Sequence, residues 1–390
     1  MNARQKFLSV INFEDNACIP KNEFAYWAGT IRNWFLQGLP KTGGLPDAII
    51  SSESIRGSKP LAEQYATEVD QNVAAYFNLD SFPEKFPIDY SPMLAGSIIE
   101  DNEDYRIYSD KYGLTNKVLK KKSSIPLVID FPIKNKKDFY DYISLYDSPC
   151  RDIPKRLPKD FDRLAENLRN RDFPIRLGGN PFGFSFLARH LMGEVTYMLS
   201  MYDDPGLIKQ FNEYYLNFTM GYWSEILEKV EVDCVFILED IAYRSGSFIS
   251  KEMFSQFIRP YYLKFIDFLK QYRIINIFVD CDGLIDELIP LWIETGVTGL
   301  FPFEAVNDIV AIRQKYPNLK MMGGFNKKVL FKDSSRKKID DEIDRISNVM
   351  KLGGYIPHID HSVSEDVTWE NFKYYREKLN NLIDTMQKGN

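Results

Sequence analysis

Hydrophobic positions follow different patterns in the two halves of this 390-residue chain. In the second half, short apolar runs with β propensity alternate with longer stretches of helical periodicity. This alternation is typical of repeated βα units built around a parallel sheet. The pattern predicts six strands, at residues 174–177, 234–238, 274–279, 297–301, 319–322 and 355–357.

The helices of this second half carry recognisable start signals. Asp204 followed by Pro205 is an N-cap and first-turn pair at the start of a long apolar face. Ser250 is predicted to cap another helix, which Pro260 should kink. A last helix is predicted over residues 369–386. The apolar face that follows Asp204 consists of Leu207, Ile208, Phe211, Tyr215, Phe218, Tyr222 and Ile226.

The first half of the chain is less regular. Phe7, Val10 and Ile11 share one face of a predicted opening helix. Further along, prolines separate short β-type runs, and TNKVLKKKSSIPLVIDFP at 115–132 predicts a β-hairpin. Aromatic residues cluster around Trp27 and Trp34, and we interpret this cluster as a cover for a ligand. Its members are Phe24, Tyr26, Trp27, Trp34 and Phe35.

Together these elements predict one α/β domain over residues 1–390, a (β/α)8 TIM-type barrel. About residues 1–165 form an N-terminal elaboration of helices and hairpins, and about 166–390 form most of the barrel. An open dinucleotide-binding sheet is less favoured, because Gly178–Gly179 and Gly323–Gly324 lack the spacing of that fingerprint.

Composition narrows the functional classes. With 49 basic and 55 acidic side chains the net charge is −6, so the chain lacks the basic excess of nucleic-acid binders. No apolar run approaches the roughly 20 residues that span a bilayer. The four cysteines form no CxxC pair, which favours a reducing compartment. We therefore predict a cytoplasmic protein that binds neither nucleic acid nor membrane, and whose many aromatic residues suit a pocket for a small molecule.

Polar side chains follow the predicted strands, at the end of an α/β barrel where active sites lie. A single Asp or Asn at such a position is more often a helix cap or a turn residue. A closed barrel, however, brings the strand ends around one mouth, so the set as a whole predicts a site. Its members are Asn180, Glu239, Asp240, Asp280, Asp282, Glu304, Asn326, His358, Asp360 and His361.

Four of these residues are candidate metal ligands. Asp280, Asp282, His358 and Asp360 offer hard oxygen and nitrogen donors. Cys281 lies between two of the acids, and in an extended chain its side chain should point away from both. A thiolate-rich zinc site is therefore disfavoured, and a metal-free acid cluster is at least as well supported.

The same segments resemble the uroporphyrinogen decarboxylase-like superfamily, and most closely its branch of corrinoid-dependent methyltransferases. The resemblance covers nearly the whole chain and implies an α/β barrel with N-terminal additions. The similar blocks, in family order, are 2–20, DFPIKNKKDF (130–139), ILEDIAYRSGSFIS (237–250), DCDGLIDELIPLWIETGVTGLFPFEA (280–305), MGGFNKKVL (322–330) and GGYIPHIDHSVSEDVTWENF (353–372).

The resemblance implies an enzyme that moves a methyl group between the corrinoid (cobalamin) of a small partner protein and a small molecule. Tetrahydrofolate or a methylated amine is the expected donor or acceptor. Porphyrinogen decarboxylases of the superfamily hold substrate carboxylates with N-terminal arginines, and Arg4-Gln5-Lys6 is the nearest match here. That clamp is therefore not expected. Decarboxylation in porphyrin biosynthesis and a non-catalytic, ligand-binding barrel are the alternatives.

The resemblance also assigns roles to the candidate residues. Zinc-dependent members that methylate thiols carry a His-x-Cys motif, which here reads Asp280-Cys281-Asp282, so zinc is not firmly expected. In a methyl transfer without zinc, the catalytic candidates are Glu239, Asp280, Asp282 and His358. The substrate-binding candidates are Asn180, Asp240, Glu304, Asn326 and His361.

Overall fold

A curled, parallel β-sheet of seven strands forms the centre of the computed structural model, which describes residues 1–41, 70–120, 126–146 and 149–388. The order of the strands is β1-β6-β7-β10-β11-β12-β13. The curled parallel sheet confirms the predicted TIM-type barrel. These strands are β1 (Glu84–Lys85), β6 (Ile175–Gly178), β7 (Cys234–Leu238), β10 (Ile277–Asp280), β11 (Gly299–Phe303), β12 (Lys320–Gly323) and β13 (Tyr355–Ile356).

All six strands predicted from apolar runs are present, with ends shifted by a few residues at most positions, as is usual for element boundaries. Their runs are apolar because both faces are covered: every residue of β7, β11 and β12 is buried. Parallel strands with helices outside and side chains inside are expected to show this pattern. The strand β1 was not predicted, because its two residues are polar and exposed.

Helices connect the strands and cover the outside of the barrel. The side chain of Asp204 accepts a hydrogen bond from the Leu207 N–H, and Ser250 caps its helix through the Met253 N–H. Both predicted N-caps are thus confirmed. Helix α9 (Lys251–Phe257) ends before Pro260, which lies in the first turn of α10 (Arg259–Gln271), so the expected kink is a break between two helices.

The helices whose full length lies in the described residues are α1 (Ala3–Ile11), α2 (Ala28–Leu36), α3 (Lys136–Ile143), α4 (Pro149–Arg156), α5 (Phe161–Leu168), α6 (Phe186–Met192), α7 (Glu194–Asp203), α8 (Pro205–Leu227), α9 (Lys251–Phe257), α10 (Arg259–Gln271), α11 (Ile289–Thr295), α12 (Ile309–Lys315), α13 (Arg336–Met350) and α14 (Trp369–Lys388), with a 3₁₀ helix at Lys327–Leu330. None of them is both long and apolar enough to cross a lipid bilayer.

Antiparallel strands form the elaboration. The predicted hairpin is present as β4 and β5, while residues 121–125 between them lie outside the described residues. These two strands belong to a four-stranded sheet in the order β2-β3-β4-β5. Separately, β8 and β9 form a short hairpin that follows β7. The antiparallel strands are β2 (Ser97–Asp101), β3 (Tyr105–Ser109), β4 (Thr115–Leu119), β5 (Leu127–Asp130), β8 (Ala242–Tyr243) and β9 (Gly246–Ser247).

The aromatic cluster around Trp34 belongs to the core. Trp34 is fully buried, its ring packs 4.3 Å from that of Phe372 in α14, and its Nε1–H donates to the Val367 carbonyl at 2.8 Å. The interpretation of this cluster as a cover for a ligand is therefore wrong for Trp34. Its function is to attach the N-terminal segment to the last helix.

Candidate active site

Acidic side chains converge where the parallel strands end. Glu239 and Asp240 follow β7, Asp280 is the last residue of β10, and Asp282 comes two residues later. Carboxylate oxygens of Asp240, Asp280 and Asp282 all lie within 4.8 Å of one another. We call these three residues the acid triad. Glu304 follows β11 and accepts a hydrogen bond from the Gly283 N–H at 2.8 Å, which places it at the same edge of the sheet.

The backbone after β7 is held in an unusual conformation that directs Asp240 into the triad. Asp240 has a φ of +44°, in the left-handed region that few residues other than glycine adopt. Arg189 Nη2 donates to the carbonyl oxygens of Glu239 at 2.6 Å and Asp240 at 2.7 Å. The carboxylate of Asp240 in turn accepts a hydrogen bond from the Asp282 N–H at 3.2 Å. Such strained positions are concentrated at functional sites.

The triad retains protons more strongly than isolated carboxyl groups do. Burial, with the negative charges of Asp240 and Glu304, raises the pKa of Asp282 to about 7, while Lys327 opposes the shift. Burial and its two triad neighbours hold the pKa of Asp280 well above its ordinary value. Burial also raises the pKa of Asp240. Like charges this close cannot all ionise near neutral pH, so the triad shares protons.

Glu239 lies one residue before Asp240 but serves a different purpose in this structure. Its carboxylate is fully buried and accepts hydrogen bonds from the Phe184 N–H at 3.0 Å and the Ser185 N–H at 2.8 Å. The Tyr262 hydroxyl donates to it at 2.9 Å. These contacts join the loop after β6 to the end of β7, so Glu239 is a positioning residue for the mouth.

The two histidines after β13 have different environments. His358 is fully buried, and its Nδ1 lies 2.7 Å from the Ile359 carbonyl oxygen. Within the described residues, its Nε2 has no hydrogen-bond partner. Burial lowers the pKa of His358 to about 4, so the ring is neutral at pH 7. With Nδ1 donating, Nε2 carries a free lone pair. His361 is half-buried, and its Nε2 lies 3.4 Å from Asp282 Oδ2.

Aromatic rings from the N-terminal half surround these histidines. The ring of Phe24 lies 4.8 Å from Phe301, 6.4 Å from His358 and 5.7 Å from His361, measured between centroids. Phe82 lies 6.1 Å from His358. Phe24 belongs to the aromatic cluster that the sequence analysis interprets as a cover for a ligand. Phe82 was not predicted, because nothing in its local pattern separates it from the other aromatic residues of the elaboration.

The positive charge of Lys327 offsets part of the negative charge of the acidic mouth. Lys327 Nζ lies 3.9 Å from Asp360 Oδ1, and its backbone N–H donates to the same oxygen at 3.4 Å. Burial raises the pKa of the Asp360 carboxyl to about 6 against the opposing charge of Lys327. Lys327 was not among the predicted site residues. Its position directly after the candidate Asn326 is the feature of the sequence that could have indicated it.

The two predicted asparagines contribute mainly through the backbone and a helix cap. Asn326 Oδ1 accepts a hydrogen bond from the Lys328 N–H at 3.1 Å and so caps the 3₁₀ helix. Asn180 is exposed in the loop after β6, and its carbonyl oxygen accepts a hydrogen bond from Lys85 Nζ. A role of either side chain in ligand binding stays a prediction.

The donor set of the mouth does not fit a thiolate-bound zinc ion. Among the described residues, the group that could hold a metal consists of the three carboxylates of the triad, and His358 and Asp360 lie outside it. Cys281 packs in the hydrophobic core, and burial raises the pKa of its thiol well above the ordinary value. Carboxylates alone suit hard cations such as Mg²⁺.

Comparisons with known proteins agree with this architecture. A family model described as Uroporphyrinogen decarboxylase (URO-D) matches residues 175–382, from the first residue of β6 into α14. A solved structure of a methyltransferase from Methanosarcina mazei is similar over 99% of this chain and 99% of that chain, with a TM-score of 0.58 and 13% sequence identity. At this identity the likeness shows a common fold. Among curated proteins, none matches the sequence significantly.

Proposed function

The chain belongs to the uroporphyrinogen decarboxylase (URO-D) family, and on that premise we propose that it is a methyltransferase. It moves a methyl group between the corrinoid (cobalamin) of a small partner protein and a small molecule such as tetrahydrofolate or a methylated amine. The observation that carries this proposal is the convergence of three carboxylates, the acid triad, in a mouth lined by aromatic rings. The methyltransferase with the same fold over nearly its whole length supports it.

The triad suits a methyl group bound to nitrogen. When a carbon–nitrogen bond breaks, its electron pair stays on nitrogen, and a proton delivered there makes the amine a better leaving group. Asp282 is matched to this task, because a pKa of about 7 leaves it protonated in about half of the molecules at neutral pH. In the reverse direction its carboxylate accepts the proton.

The rest of the mouth can position the ligand. Methyl transfer requires alignment of donor, methyl carbon and acceptor, so positioning supplies much of the rate enhancement. Phe24 and Phe301 contact each other edge to face, with 4.8 Å between their centroids, and the apolar surface that they form together suits a flat or cationic group packed against it. His358 is fully buried beside these rings, and the free lone pair on its Nε2 becomes accessible to a ligand N–H or O–H group when Phe24 moves aside.

A reduced corrinoid on a partner protein would supply the nucleophile for the methyl group. Its carrier protein needs a surface beside the mouth, and α7 offers an apolar stripe there. Val195, Leu199 and Tyr202 lie at helical spacing on α7, with more than half of each side chain exposed. The equally exposed Tyr243, after β7, donates through its hydroxyl to the Glu194 carboxylate at the start of α7. Contiguous exposed apolar residues of this kind favour a protein partner.

The alternative of porphyrinogen decarboxylation lacks support from the opening helix. Arg4 forms ion pairs with Asp233 and Glu231, both at 2.7 Å. Asp233 immediately precedes β7, so Arg4 lies at the amino end of the barrel, opposite the mouth. An arginine in this position does not hold carboxylates of a ligand beside the acid triad.

The test is a spectroscopic assay of methyl transfer. The protein is incubated with methylcobalamin and tetrahydrofolate, and separately with methylcobalamin and a thiol. We expect the corrin spectrum to change with tetrahydrofolate, and Asp282→Asn to slow the change at least tenfold. Asp286→Asn, an exposed acid in the same loop, is the matched control and should leave the rate unchanged. An unchanged spectrum with both acceptors would contradict the proposal.

The same preparation distinguishes the alternatives. Formation of decarboxylated porphyrins, detected by fluorescence after oxidation of the products, would identify a decarboxylase. Ligand binding that is unaffected by Asp280→Ala and Asp282→Ala, without either activity, would identify a non-catalytic barrel.

A further inference from the structure

Two cations lie side by side on the first two strands of the sheet. Lys85 of β1 and Arg176 of β6 are register partners in the parallel pairing. Lys85 Nζ donates to the Asn180 carbonyl oxygen at 2.5 Å, and Arg176 Nε donates to the Pro83 carbonyl oxygen at 3.0 Å. In the described parts of the chain, neither cation has a carboxylate within ion-pair distance. The hydrogen-bond acceptors of both cations are therefore neutral carbonyl groups.

The guanidinium of Arg176 lies at the mouth of the barrel. It stacks over the ring of Phe236 at 4.8 Å. A Cβ atom at Gly179, the residue after β6, would lie only 2.3 Å from Arg176 Nη1, so the absence of a side chain there makes room for the guanidinium. Asp280 of the triad is close enough for its charge to act on Arg176. The cationic pair and the acid triad thus belong to the same mouth.

Holding these two like charges together is unfavourable without an anion. Burial lowers the pKa of Arg176. Although Lys85 as a whole is exposed, burial around its ammonium group and the charges of Arg176 and Lys111 lower its pKa to about 8. Lys111, by contrast, is paired with Asp89 at 2.9 Å. A negatively charged ligand between Arg176 and Lys85 would relieve the repulsion.

We propose that Arg176 and Lys85 form a carboxylate-binding subsite, and that the small molecule in the mouth carries its carboxylate there and its methyl-bearing nitrogen at the acid triad. The guanidinium fork matches a carboxylate with two parallel hydrogen bonds, and the lysine adds a third donor. This inference rests on the proposed function for the methyl-bearing end of the ligand.

Aromatic rings connect the two ends of such a ligand. Phe236, under the guanidinium, lies 5.1 Å from Phe301, and Phe301 lies 5.8 Å from His358. An apolar wall therefore runs from the cationic pair toward the histidine. A molecule with separated opposite charges and an apolar middle fits this distribution better than a simple methylated amine, which would leave both cations without a partner.

The carboxylate can come from two sources. It can belong to a methylated amino acid of the betaine type, whose quaternary nitrogen leaves as a neutral amine and takes no proton from the triad. It can also belong to the glutamate end of a methylated folate, whose methyl-bearing nitrogen takes a proton as the methyl group leaves. Isothermal titration of the full-length protein, without corrinoid and without turnover, distinguishes them. The probes are two pairs, glycine betaine with choline, and 5-methyltetrahydrofolate with 6-methyltetrahydropterin, in which only the first member carries a carboxylate.

In one of the two pairs, we expect the member with a carboxylate to bind at least tenfold more tightly than the member without one. The pair that shows this preference identifies whether the ligand is a methylated amino acid or a methylated folate. Arg176→Gln should weaken that binding about ten- to a hundredfold, as expected for the loss of a charged, two-bond contact. Lys85→Gln should weaken it less. Lys264→Gln, which removes an exposed cation of α10 that pairs with Glu213, is the control and should have no effect.

Equal binding of both members in each pair, no binding of either carboxylate probe, or a preference that survives Arg176→Gln would overturn the subsite. If Arg176→Gln does not fold, Arg176→Lys retains the charge without the fork and should still lose part of the preference. Carboxylate binding that depends on Arg176 in a protein without methyl transfer would refute only the proposed function. Methyl transfer with binding independent of Arg176 would refute only the subsite.

Discussion

Replacing Asp282 with Asn should stabilise the fold near neutral pH while it removes the proton that the proposed reaction uses. In the folded protein the pKa of Asp282 is raised from 3.8 to about 7, chiefly by burial. Between these values the folded protein keeps the proton and the unfolded chain loses it. Stability is therefore fully present below about pH 4 and falls as pH rises toward 7. Asparagine does not ionise and avoids this loss.

The size of the effect follows from the shift. Roughly three pKa units correspond to about 4 kcal/mol at about 1.4 kcal/mol per unit. The side chain of Asp282 is 40% exposed, and water screens charges in such positions, so we expect about 1–2 kcal/mol of this difference to be realised. The free energy of unfolding of Asp282→Asn should exceed that of the wild type by this amount at pH 8, and by little at pH 4.

Guanidinium denaturation of both proteins at several pH values between 4 and 8 measures this difference. The proteins are first treated with a chelator, so that bound cations do not neutralise the triad. Asp286→Asn should follow the wild type at every pH. If the difference in unfolding free energy between Asp282→Asn and the wild type does not grow with pH, or if the wild type becomes the more stable protein as pH rises, the prediction is refuted. Asp282 would then be an ordinary ion-paired carboxylate, and the triad would not share protons.

Three further outcomes are expected. Glu23→Gln leaves the buried guanidinium of Arg376 without its ion-pair partner at 2.7 Å and should cost about 3–5 kcal/mol of stability in denaturation experiments. The control is Glu377→Gln, which removes an exposed ion pair and should cost under about 1 kcal/mol. Similar losses of stability in the two variants would contradict this prediction. Phe24→Ala should admit water to His358 and raise its pKa from about 4 toward 6.5, measured by NMR titration, and an unchanged value would show that Phe24 does not shield the ring. Removal of metals with EDTA should leave methyl transfer unchanged, and loss of activity that Zn²⁺ or Mg²⁺ restores would show that the triad holds a metal.

The barrel strands could be predicted because burial on both faces makes them continuous apolar runs. β7 is the clearest case, and its predicted and observed ends coincide. β1 escaped prediction because Glu84 and Lys85 present no apolar run, and only their hydrogen bonds to β6 make them a strand. The break before Pro260 followed from the ring of proline, which has no N–H to continue the preceding helix.

The location of the candidate site could also be predicted, because polar residues after parallel strands meet at one edge. The direction of each side chain could not. Glu239 and Asp240 are neighbours in sequence, yet Glu239 accepts hydrogen bonds from backbone N–H groups of the loop after β6, whereas Asp240 belongs to the triad. The positive φ of Asp240 turns the two side chains in different directions. Phe82 reaches the mouth only through tertiary contacts that no local pattern encodes.

The buried pair of Glu23 and Arg376 has a consequence for the order in which the protein assembles. Its two residues are 353 positions apart in sequence, and Glu23 also accepts a hydrogen bond from the Ile359 N–H, next to His358. The wall that Phe24 and His358 share is therefore complete only when the segment around residue 23 has met the last helix. Contacts of such long sequence separation form late in folding. A chain that is still emerging from the ribosome can form most of the parallel strands, but it gains its binding mouth only after α14 has been synthesised.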